Sequence, residues 1–91
     1  MAGEMLTFDA AVPVLTGKLI ALYGFTEGRR IAAAAAEPVL RDFRQMVRSA
    51  APGTEVSEEY FTEDRKAKIL LKGGLTDNRR ARVTEITVTP Q

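Results

Sequence analysis

The side chains best placed to act on a partner are arginines. Arg41, Arg44 and Arg48 recur at i, i+3 and i+7, a spacing that gathers them along one face of a helix. Arg79, Arg80 and Arg82 form a second cluster beside Asn78. A basic helix followed by a basic hairpin is the layout of a winged nucleic-acid reader, in which both elements hold phosphates. Arginine is also a good helix former that needs no ligand, and Asp42 interrupts the first set.

Other chemistries are poorly supplied. The chain has no histidine and no cysteine. Ser-His-Asp and Cys-His nucleophilic mechanisms, disulfides, thiol redox chemistry and the common zinc sites are therefore excluded. Thr16-Gly17-Lys18 resembles the end of a phosphate-binding loop, but Val12 stands where that motif requires glycine. Glu55, Glu58, Glu59, Glu63 and Asp64 crowd a short segment that lacks the alternating ligands and central glycine of a calcium loop. Neighbouring Glu58 and Glu59 would point to opposite faces of a strand and could not share one substrate. No catalytic residue, metal ligand or cofactor site is assigned, and the expectation is a protein that is not an enzyme.

Tyr60 and Phe61 lie within the acidic segment, and on a strand only one of the two rings can turn inward. Aromatic residues are favoured interface anchors, so Tyr60 and Phe61, with Glu55 and Glu59, are taken as interface candidates.

The elements that must position these residues divide at Ala51-Pro52-Gly53. The first half, residues 8–51, reads as two helices. Val12, Leu15, Leu19 and Leu22 make one stripe. Thr7 or Asp9 offers a cap, Pro13 suits a first turn, and Gly24 suits the helix end. Thr26 can cap the second helix, whose stripe is Ile31, Ala35, Val39, Phe43, Met46, Val47 and Ala50. That stripe keeps phase through Pro38, which predicts one helix kinked there. A competing reading, a hairpin of 18–23 with 30–35, conflicts with the low strand propensity of the alanine run. The second half, 54–89, reads as strand. Ala67, Ile69 and Leu71 alternate with Lys66, Lys68, Leu70 and Lys72, and Val83–Thr89 is mostly β-branched. Thr54–Phe61 is a first strand turning at residues 62–65, with Gly73-Gly74 and Asp77-Asn78 as the second turn. The predicted fold is α+β: two helices on a three-stranded antiparallel sheet.

With 91 residues and a formal net charge of +1, the chain suits one small domain, 1–91. A core this thin, without disulfide or metal, is commonly reinforced by association. The longest apolar stretch, Val12–Phe25, contains Lys18 and has 14 residues, short of a membrane crossing. Met1-Ala2-Gly3-Glu4 lacks the basic start of a signal peptide. A cytoplasmic protein, or one in a particle assembled there, is expected. The leading expectation is a non-enzymatic, homo-oligomeric assembly protein that binds itself or another protein. The size and the Ala/Arg-rich helical half would suit a small phage virion or connector component. The alternative is a nucleic-acid-binding module working through the six arginines.

Overall fold

Residues 5–91 are described by a computed structural model, in the order α1 (Phe8–Tyr23), α2 (Phe25–Ser49), β1 (Val56–Phe61), β2 (Ala67–Leu75) and β3 (Ala81–Pro90). The three strands form one antiparallel sheet in the order β1-β2-β3, with the helices on one face. The α+β architecture is therefore the one its patterning predicts.

α1 starts where Thr7 Oγ1 accepts the Ala10 N–H at 3.1 Å. Because the helix begins this early, Pro13 falls in its second turn rather than its first. Both Pro13 and Asp9, whose carbonyl loses its partner there, are exposed, so water can satisfy that carbonyl. At the far end Gly24, with φ +91°, donates its N–H to the Ile20 carbonyl at 2.8 Å and also caps α2. Only glycine adopts that backbone freely, so the two helices are joined by a single residue. Thr26 is accordingly not the cap but an exposed residue within α2. The hairpin reading is excluded, since 18–23 and 30–35 are both helical.

α2 continues through Pro38 as one helix. Its buried residues are Gly28, Ile31, Ala32, Ala36, Leu40, Phe43 and Val47. The expected Ala35, Val39, Met46 and Ala50 are only half-buried. The stripe is rotated because α2 packs against two partners. Gly28 meets the α1 backbone at Ile20, and Ala32 and Ala36 share a groove with Val12 and Thr16, while Phe43 reaches the sheet at Gly73.

On β2, Ala67, Ile69, Leu71, Gly73 and Leu75 turn toward the helices. Gly73 and Gly74 therefore lie within the strand and do not form the second turn. A Cβ on Gly73 would collide with the Arg82 carbonyl oxygen and stand 3.2 Å from the Phe43 ring; one on Gly74 would stand 2.6 Å from the Thr54 carbonyl oxygen. The register also shifts between Lys72 and Gly73, which pair with Glu85 and Val83 and leave Thr84 as the extra residue of a bulge. The turn itself runs through Asp77 and Asn78, closed by Thr76 and Arg80. Leu6 exchanges two backbone hydrogen bonds of 2.8 Å with Val83, tying the start of the described chain to the edge of β3.

Phe43, Leu15, Leu19, Val47, Ile69, Leu71 and Val83 are fully buried. Each such side chain contributes about 1.5–3 kcal/mol of transfer free energy. Among the described residues one polar side chain is buried, Thr62, which sits at the end of the molecule where Tyr23 meets the β1–β2 turn. No described helix is long and apolar enough to cross a membrane.

Candidate functional site

Chain direction decides which arginines meet. α1 begins, α2 ends and the β2–β3 turn closes at the same end of the molecule. The Gly53 N–H bonded to the Leu75 carbonyl at 3.0 Å holds the segment after α2 against the end of β2, and the Leu6–Val83 bridge holds the start of α1 against β3. Between them lies a depression of about 350 Å³. Arg44 and Arg48 line it from α2, Arg79, Arg80 and Arg82 from the hairpin, and Thr7, Phe8 and Asp9 from the start of α1. Two clusters separated by some thirty positions in sequence thus share one wall. Arg41 does not line the depression; with Glu37 it lines the adjoining grooves between α1 and α2, one of which Asp9 and Arg44 also border.

Among the described residues the five arginines share the depression with one carboxylate residue, Asp9. Among the described residues the ion pairs are Arg30–Glu27, Lys68–Glu59 and Lys72–Glu85, none involving these arginines. Close like charges repel by about 1 kcal/mol per pair even in water. Structural contacts account for part of the arrangement. The Arg44 guanidinium stands 5.8 Å from the Phe8 ring centroid, and Arg82 donates to the Ala81 carbonyl at 2.8 Å. Arg48, in the last turn of α2, opposes the negative end of the helix dipole. Arg79 holds φ at +62°, a left-handed conformation uncommon for residues other than glycine, asparagine and aspartate.

The acidic segment is dispersed by the fold. Glu55 precedes β1 and is exposed, while Glu58 is half-buried. Glu59 points to the open sheet face and pairs with Lys68 at 3.3 Å. β2 stands between this acidic edge and β3, its Lys68 pairs with Glu59 and its Lys72 with Glu85 of β3, and among the described residues no ion pair links Arg79, Arg80 or Arg82 to the acidic segment. Among the described residues no group of three or more carboxylates could hold a metal ion.

Tyr60 and Phe61 separate as strand geometry demands. Tyr60 turns toward α2 and donates its hydroxyl to Asp42 Oδ2 at 2.6 Å; burial first, and then this bond, raise its pKa. Phe61 is 42% exposed beneath the Arg65 guanidinium, 5.0 Å from its ring centroid. Asp64 is tied into the turn by the Lys66 N–H at 2.9 Å and by the Thr62 and Tyr23 hydroxyls, which hold its carboxyl below the usual range.

Sequence reasoning found all five arginines of the depression but not the α1 residues beneath them. Thr7 was legible as a helix cap, yet its place beside the hairpin depends on the Leu6–Val83 bridge, which leaves no local signature. Comparison with known proteins yields no matching family model, no matching curated protein and no matching solved structure.

Proposed function

We propose that this chain is a non-enzymatic interaction protein that grips an anionic partner with its arginine-lined end. The observation that carries this reading is the convergence of Arg44, Arg48, Arg79, Arg80 and Arg82 on one open depression, without an ion-paired carboxylate among the described residues. Guanidinium forks suit carboxylate and phosphate oxygens, and at an exposed surface their attraction is strongest at low salt. Retention on a heparin column at low ionic strength tests it. The wild-type protein is expected to bind and an Arg48→Gln/Arg80→Gln variant to elute at lower salt. Wild-type protein emerging unretained would refute the reading.

A second reading is homo-oligomeric assembly, as in a small phage-type structural component. Phe61 supports it, exposed beside Ala34, Ala35 and Val39 in a groove rimmed by Arg30 and Glu63. Light scattering on the eluting peak decides between a monomer and an assembled form. A monomer at high micromolar concentration sinks this second reading and leaves the first standing.

A further inference from the structure

We infer that the anionic partner is the sugar–phosphate backbone of a nucleic acid, bound across the depression between the end of α2 and the β2–β3 hairpin. This rests on the anion-binding reading above and adds the chemical class of the partner. Three observations favour phosphodiester over an acidic protein surface. First, the depression has almost no exposed apolar side chain. Phe8 is 7% exposed, and the aromatic rings that are open, Phe25 and Phe61, lie toward the opposite end beside Gly24 and Thr62. Protein partners are anchored by buried aromatic or aliphatic residues within a polar rim, and this surface has a charged centre instead. A phosphate backbone offers charge without needing such an anchor.

Second, the arginines form two rows on opposite banks. Arg44 and Arg48 are one helical turn apart, about 6 Å along the axis. Arg79, Arg80 and Arg82 follow the hairpin. Two rows of cations flanking a trough suit a polymer with regularly repeated charge. Third, the charge is local. The protein carries only +1 in total, so attraction comes from five side chains and not from a general basic field. The depression lines up no asparagine or glutamine to read base edges, so binding should be independent of sequence.

These features set the salt dependence. Neutralising Z phosphates on duplex DNA gives a slope of about −0.9Z in log K against log salt. With four or five arginines engaged, affinity should fall about 150- to 500-fold between 50 and 200 mM salt. The test is fluorescence anisotropy with a labelled short DNA duplex, the corresponding single strand and a labelled polyglutamate peptide. Wild-type protein is expected to bind DNA of unrelated sequences equally, with that slope, and polyglutamate far more weakly. The Arg48→Gln/Arg80→Gln variant should lose about two units of slope while its circular dichroism is unchanged. Polyglutamate binding as tightly as DNA would overturn the nucleic-acid assignment and leave the anion-binding reading intact. Binding of neither probe at 50 mM salt would overturn both.

Discussion

Thr62→Val isolates the one buried polar junction of the described protein. The Thr62 side chain is 2% exposed. Its hydroxyl accepts the Ala67 N–H at 3.2 Å and donates to Asp64 Oδ1 at 2.7 Å, with the Tyr23 hydroxyl 2.9 Å away. Valine has nearly the same shape, so no cavity opens, and the cost comes from lost polar contacts. Ala67 is fully buried, and its N–H would lose its acceptor, which costs about 1–3 kcal/mol. Asp64 is exposed and can turn to water, so the cost lies at Ala67. That cost of about 1–3 kcal/mol is a sizeable share of the roughly 5–14 kcal/mol that stabilises a domain this size. At about 4–8 °C per kcal/mol, Tm should fall by roughly 4–24 °C. Urea denaturation followed by circular dichroism measures the change, with Thr62→Ser as the control that restores the hydroxyl. A valine variant within about 0.5 kcal/mol of wild type would refute the reasoning, because such a value is ordinary for a surface substitution.

Two glycines in the helices should respond in opposite directions to alanine. A Cβ on Gly28 would strike the Ile20 backbone, with Ile20 N at 2.8 Å and the Leu19 carbonyl oxygen at 2.9 Å, so α1 and α2 must part. Gly28→Ala should destabilise by about 1–3 kcal/mol in thermal or urea unfolding. Gly17 has no neighbour within 4 Å, and Gly17→Ala should stabilise by about 0.5–1 kcal/mol in the same assay. For pH, the folded Asp64 carboxyl titrates below its ordinary 3.8, so its contribution is present above that value and is lost as pH falls through the lower folded value. Acid titration of Tm should therefore show a step that Asp64→Asn removes. Tyr23 and Tyr60 have the opposite sign. Both are raised above 10.0, so their contributions hold below pH 10 and are lost as pH climbs through the higher folded values; Tyr60→Phe should flatten part of that alkaline loss.

Much of this protein was legible in one dimension because the relevant forces are local. The β2 alternation of Ala67, Ile69 and Leu71 with lysines requires a strand with one wet face, and that is the strand observed. Gly24 marks the end of α1, although its service as the cap of α2 depends on a φ of +91° that composition cannot show. Gly73 and Gly74 mark the limit of local reading. Two adjacent glycines look like a turn, yet here they allow the Arg82 and Thr54 carbonyls to approach a strand from either side. The rotated stripe of α2 has the same origin, since periodicity locates an apolar face but not the number of surfaces it must cover. Arginine spacing identified the charged clusters, because side chains three, four and seven apart share a helix face whatever the fold. Bringing Arg44 and Arg48 to the hairpin arginines, and leaving Arg41 aside, required the register of β2 with β3 and the antiparallel return of α2 over the sheet. Those are contacts between residues far apart in sequence, so only the folded chain decides them.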